Sequence, residues 1–311
     1  MACMNGRIQR RALLRGLAGL AAAGLLPGAR ARADCAGLAC KAFPSTGFGL
    51  PVIGLGSWLT FDVGAAPARR ENVRRVIEAF FERGGAMIDS SPMYLTSQEV
   101  IGDALAKLSN DQNLFSATKV WIPGRRPGIW QMERSLEQWG VDHFDLLYVH
   151  NLVDWEKHLP WMREWQAQGR ATHIGVTTSH GRRHDELLEV LGSEKMDCVQ
   201  FTYNIRDREA EQRLLPFARD RGLAVVINRP FAGGALFRGV RGRPLPPWAS
   251  EIRCENWAQF FLKFIVSHPA VTCVIPATSR VEHLHENMGA LAGPLPDAAM
   301  RARMLRYYDS L

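Results

Sequence analysis

Three apolar runs in this chain each end in a single ionisable residue, and their types suit proton transfer. Residues 86–89 close on Asp89, and the tight Ser90-Ser91-Pro92-Met93 turn then delivers Tyr94; residues 114–120 carry Lys119 near their end; residues 144–150 end in His150. Buried strands have no packing reason to end in charge, so three in succession suggest polar groups converging on one mouth of a parallel α/β enzyme. A free phenol, with a pKa of about 10, is a poor acid at neutral pH. A neighbouring lysine cation favours the phenolate and is expected to ease release of the Tyr94 proton. Asp89 would hold Lys119 charged and oriented, and His150 would hydrogen-bond a carbonyl oxygen. Together these residues form a general acid for an oxygen whose carbon receives a hydride. The set contains no nucleophile–base pair for acyl transfer and no carboxylate pair for glycoside hydrolysis.

The elements that must position these groups can be read from periodicity. A turn signal between short apolar pieces predicts a hairpin over 41–50. Strand and helix patterns then alternate: 51–58 with 69–83, 87–90 with 98–107, 114–120 with 129–139, and 144–150 with 159–168. They continue as 173–177 with 184–191, 198–203 with 211–220, 223–228 with 257–267 after a long Gly/Pro-rich loop, and 271–275 with 281–290. Eight such units over about 250 residues match a (β/α)8 TIM barrel, with an N-terminal hairpin and a C-terminal helical extension. The rival open sheet would need a Gly-x-Gly-x-x-Gly turn, but Gly54-Leu55-Gly56 runs into Ser57-Trp58-Leu59.

The formal net charge of +7 is concentrated at one end. Residues 1–33 hold six arginines and no acid, leaving +1 for the remainder and no basic stripe for nucleic acid. That segment combines the Arg10-Arg11 pair, a weakly apolar stretch over 17–26 and the small residues of Ala31-Arg32-Ala33. It reads as a twin-arginine signal peptide over 1–33, followed by a mobile mature N-terminus over 34–42 and one barrel domain over 43–311. No later stretch is a candidate transmembrane segment. The expected location is the periplasm, with a membrane tether if the leader stays uncleaved. Six cysteines are too few for a disulfide framework. Cys35 and Cys40 are close enough to pair in an oxidising space, whereas Cys198, Cys254 and Cys273 sit in apolar surroundings. No metal site is expected, since no closely spaced Cys/His set exists.

Ile88-Asp89-Ser90-Ser91-x-x-Tyr94, Ala117-Thr118-Lys119-Val120-Trp121 and Asp145-Leu146-Leu147-Tyr148-Val149-His150 together resemble the Asp/Tyr, Lys and His motifs of the aldo-keto reductase family, a likeness that extends over about residues 43–290. The resemblance implies a catalytic tetrad of Asp89, Tyr94, Lys119 and His150. It implies nicotinamide contacts from Thr177, Thr178, Gln200 and Asn228, and a diphosphate-covering loop with Arg229, Gly233 and Gly234. It further implies an adenosine end at Arg280, Glu286 and Asn287, where Arg280 would favour NADP(H), with NAD(H) left open. Two departures bear on cofactor affinity: Thr178 replaces a common Asn, and Asn228 stands where a stacking aromatic ring is often found. Trp58, Met93, Trp121, Asn151 and Trp155 are the expected substrate pocket.

The expected function is NAD(P)H-dependent reduction of aldehydes or ketones, with a small carbonyl substrate, the twin-arginine export machinery as a partner and a monomeric state. The alternatives are a cofactor-binding sensor or accessory subunit with little turnover, or alcohol or sugar oxidation with a tightly held cofactor.

Overall fold

Alternation along each strand sends one set of side chains to the helices and the other into a barrel. The computed structural model describes Cys35 and residues 37–311. The leader expected over 1–33, together with Cys3, lies outside the described residues.

The chain enters through a short antiparallel hairpin, β1 (Cys40–Ala42) and β2 (Gly49–Pro51). The strands β3 (Leu55–Gly56), β4 (Met87–Asp89), β5 (Phe115–Val120), β6 (Phe144–Val149), β7 (Ala171–Thr177), β8 (Cys198–Thr202), β9 (Ala224–Asn228) and β10 (Cys273–Val274) follow, all parallel and ordered β10-β9-β8-β7-β6-β5-β4-β3. Parallel bridges from Ile53 to Val274 and from Gly56 to Ala277 close the sheet into a barrel. A Cβ on Gly56 would lie 2.8 Å from the Ile275 carbonyl oxygen, so the seam requires glycine there.

Between the strands run α1 (Pro67–Glu82), α2 (Ser97–Leu105), α3 (Arg125–Trp139), α4 (Trp155–Ala167), α5 (His184–Ser193) and α6 (Leu214–Asp220). A short α7 (Ala235–Gly239), α8 (Trp257–Val266), α9 (Val281–Met288) and the C-terminal α10 (Ala298–Asp309) follow. Proline opens α1, a left-handed Gly140 ends α3, and the side chains of Asn256 and Asp297 cap the N-termini of α8 and α10.

The two faces of the strands build two cores. Ile88, Val120, Leu147, Val149, Val176, Val199 and Ile227 pack against the helices. Met87, Phe115, Ala117, Leu146, Tyr148, Cys198 and Val226 fill the barrel, and Phe43 and Leu50 of the hairpin plug its lower end. There Phe43 stacks on His173 with ring centroids 4.0 Å apart. Continuing the same period of two upward brings Asp89, Lys119, His150, Thr177, Gln200 and Asn228 to the inner rim.

One expectation is revised: the first barrel strand, read as 51–58, pairs as a ladder only at Leu55–Gly56. The described part of the 34–42 stretch makes several contacts. Cys35 and Cys40 form a disulfide, the Ala39 N–H donates to the Leu291 carbonyl at 3.2 Å, and Lys41 Nζ donates to the carbonyls of His268 and Val271 at 2.8 and 2.6 Å. Cys198, Cys254 and Cys273 are buried and free.

Candidate active site

The upper mouth of the barrel holds a cavity of about 530 Å³. Among the described residues, ten non-glycine residues have positive φ; nine lie in strand-to-helix connections and Arg253 lies between α7 and α8, and Leu59, Asn151, His180 and Arg229 also form part of the cavity wall. Backbone strain of this kind persists only where the surrounding structure fixes it, and it concentrates at sites of function.

Beneath the cavity, Lys119 and Asp89 form a buried pair, exposed by 0 and 2%. Lys119 Nζ also donates to the Ser90 carbonyl at 2.8 Å, and Gln200 Nε2 donates to the second oxygen of Asp89 at 3.0 Å. Burial pushes Asp89 up and Lys119 down, each opposed by the charge of the other. Because both ends of the pair are hydrogen-bonded, the lysine is held in place as a cation.

Lys119 Nζ lies 5.3 Å from the centroid of the Tyr94 ring and 5.9 Å from that of Tyr148, so the cation is set between two aromatic faces. The acidity expected of Tyr94 is corrected here. Its pKa is raised above the ordinary phenol value, first by burial and then by the Asp89 charge, because Lys119 faces the ring and forms no hydrogen bond with the phenol oxygen. Tyr94 therefore enters the reaction fully protonated.

His150 meets Tyr94 edge-on at 5.9 Å between ring centroids. Burial, reinforced by Lys119, holds its pKa well below the usual imidazole value, so it is neutral at pH 7. Its Nδ1 lies 2.9 Å from Ser91 Oγ, which already accepts the Met93 N–H at 3.2 Å. Ser91 can donate its own proton to Nδ1, and in that arrangement the imidazole proton sits on Nε2. Ser91 lies inside the Asp/Tyr motif, yet its role is invisible in sequence because its partner is 59 positions away.

Trp58, Met93 and Asn151 line the cavity, joined by Phe231 of the loop expected to cover the diphosphate and by His180 and Phe237, which no sequence signal had marked. Trp121 stands beside His150, ring centroids 6.4 Å apart, outside the lining. Trp155 is not in the wall: as the first residue of α4 it packs against the helix-side core.

On the cofactor side, Asn228 donates to the Thr178 carbonyl at 2.9 Å and accepts from Thr202 Oγ1 at 2.7 Å; its amide also reaches Gln200 Oε1 at 3.4 Å. A polar amide thus ties three strands together at the place where a stacking ring was expected. The Thr177 hydroxyl, buried beside Gln200, has no hydrogen-bond partner among the described residues. An orphaned hydroxyl at the inner rim fits a group such as a nicotinamide carboxamide. Gly233 and Gly234, at φ +63° and +83°, line the cavity and expose backbone to it. Outside the cavity, Arg280 caps α9, exposed and 3.5 Å from Glu282; Glu286 is exposed on that helix and Asn287 buried.

A (β/α)8 barrel with a tyrosine, a buried Lys–Asp pair and a neutral histidine at the C-terminal ends of adjacent strands defines the class of nicotinamide-dependent carbonyl oxidoreductases. Residues 52–303 match the model of the aldo/keto reductase family, and the chain belongs to that family. It is similar to methylglyoxal reductase YeaE of Escherichia coli, 26% identical over 81% of this chain and 89% of the relative. An NADH-specific methylglyoxal reductase of Escherichia coli is 27% identical over 62% of this chain and 67% of its own length. The crystal structure of an aldo/keto reductase from Klebsiella pneumoniae in complex with NADP and acetate superimposes with a TM-score of 0.72, at 25% identity over 86% of this chain and 94% of that one.

Proposed function

We propose that this chain reduces aldehydes or ketones to alcohols with a reduced nicotinamide cofactor, NADPH by preference and NADH as the second choice. The observation that carries the reading is the joint geometry of Tyr94, His150 and the Lys119–Asp89 pair at one cavity. Thr177, Thr178, Gln200 and Asn228 would hold the nicotinamide and the 233–234 backbone the diphosphate of a bound cofactor, whose chemistry there would be hydride donation to the carbonyl carbon. His150 Nε2–H donates to the carbonyl oxygen and orients it. As negative charge grows on that oxygen, Tyr94 gives up its proton, and the resulting phenolate meets the Lys119 cation already fixed against its ring. Asp89 and the Ser90 carbonyl keep that cation from moving. Catalytic names among the relatives favour turnover over the sensor reading.

Tyr94→Phe tests this directly. Loss of NADPH consumption across a panel of aldehydes and ketones, with NADPH binding retained, is the expected result. Undiminished turnover in the mutant would remove Tyr94 as the acid.

The same proposal includes export. Residues 1–33 carry the twin-arginine features, and the Cys35–Cys40 disulfide supports an oxidising destination such as the periplasm. Replacing Arg10 and Arg11 with lysine should trap the protein inside the cell on fractionation; unchanged export would defeat the assignment.

A further inference from the structure

Among the described residues, one cation in the cavity wall, Arg229, has no hydrogen-bond or ion-pair partner for its side chain. Arg229 follows β9 directly, beside Asn228, and for that reason was expected to serve the cofactor. Its backbone is left-handed, at φ +51°, and its side chain leaves the strand end to lie over the Trp58 ring, guanidinium carbon to ring centroid 5.5 Å. Trp58 belongs to the loop after β3, two strands further round the barrel. The guanidinium therefore spans part of the mouth instead of returning to the strand ends.

Among the described residues it donates no hydrogen bond and forms no ion pair. Asp207 is near enough to feel its charge but is also shared with His184 and Arg206. His180, in the same wall, is held below the usual imidazole value by burial and by the Arg229 and Arg182 charges, so it adds a neutral polar ring and leaves Arg229 as the cation of the wall. Among the described residues, Asp89 is the one carboxylate lining the cavity, and it is spent on Lys119. Trp58, Met93, Phe231 and Phe237 add apolar and aromatic surface to the wall. A planar fork of N–H donors, stacked on an indole and unpaired, is built to take a carboxylate or phosphate through two parallel hydrogen bonds.

We propose that Arg229 selects carbonyl substrates that carry an anionic group, so that the preferred substrate is an apolar or aromatic aldehyde or ketone bearing a carboxylate. The inference rests on the reductase reading. It assigns Arg229 to substrate recognition and leaves the diphosphate to the 233–234 backbone.

The test compares 4-carboxybenzaldehyde with its neutral methyl ester under saturating NADPH. These share a ring and a reacting aldehyde and differ in charge. In the wild-type enzyme the acid should have the higher kcat/KM by about tenfold or more, the scale of a charge-assisted hydrogen bond. The ratio should collapse toward one in Arg229→Gln, and Arg229→Lys, which keeps the charge and loses the fork, should fall between. No acid preference in the wild type overturns the proposal. So does an Arg229→Gln variant that loses both substrates equally while NADPH binds more weakly, since the guanidinium would then serve the cofactor's diphosphate. If neither aldehyde is turned over, the reductase reading is what fails, and calorimetry with 4-(hydroxymethyl)benzoate and its methyl ester still reads the anion contact. Tighter, Arg229-dependent binding of the acid sustains it; equal binding, or none, overturns it.

Discussion

Removing the Ser91 hydroxyl should slow the chemistry without touching substrate, cofactor or proton donor. In Ser91→Ala the Nδ1 of His150 loses its 2.9 Å partner in a place where both residues are buried. A buried acceptor left unpaired costs about 1–3 kcal/mol. Without that hydroxyl nothing fixes the tautomer, and a shift of the imidazole proton to Nδ1 turns the catalytic Nε2 from donor to acceptor toward the carbonyl oxygen. If about 1–2 kcal/mol of this reaches the transition state, kcat/KM falls about 5- to 30-fold. Because the bond to the carbonyl oxygen strengthens as charge develops, the loss should fall mainly on kcat. The assay is steady-state NADPH oxidation with an aldehyde, alongside NADPH binding, which should not change. Ser91→Thr is the internal control: at φ −161° and ψ 147° a β-branched residue is accommodated, and the returned hydroxyl should restore most of the rate. Wild-type kcat/KM in Ser91→Ala would refute the assignment of the His150 tautomer to Ser91.

Stability should fall with acid. His150, His158, His173 and His268 are all held below the ordinary imidazole value, each chiefly by burial, with His268 lowered to about 4. The unfolded chain, titrating near about 6.5, binds more protons in the window below that value, so this contribution is complete above it and is lost as pH falls toward 4. Tm measured from pH 7.5 down to 5 should decline; a flat or rising profile would contradict the sign. Gly175→Ala would put a Cβ 2.3 Å from the Cys198 carbonyl oxygen and 3.1 Å from the Tyr148 ring, and should destabilise by about 1–3 kcal/mol or more on denaturant titration. A wild-type midpoint would deny that close approach. Arg280→Ala should weaken NADPH binding about tenfold or more, the scale of a lost charge-assisted contact. NADH should be nearly unaffected, and equal losses for both cofactors would remove Arg280 as a reader of the 2′-phosphate.

The sequence by itself determined the barrel and the identities of its rim residues, because both follow from local periodicity. Alternation within 86–89, 114–120 and 144–150 states which residue ends each strand and on which face, and eight repeats of strand then helix leave few closed solutions. It did not determine relations set by the curvature of the closed sheet. Trp58 and Trp155 read alike in sequence, yet one lines the cavity while the other is turned into the core by the start of α4. Lys119 was rightly expected near Tyr94, but only the tertiary structure shows that it meets the ring face, so that burial governs the phenol and raises its pKa. The link from Ser91 to His150 and the reach of Arg229 to Trp58 join loops that are remote along the chain. Side-chain direction at a strand end is local, but which side chains then face one another depends on how the barrel closes.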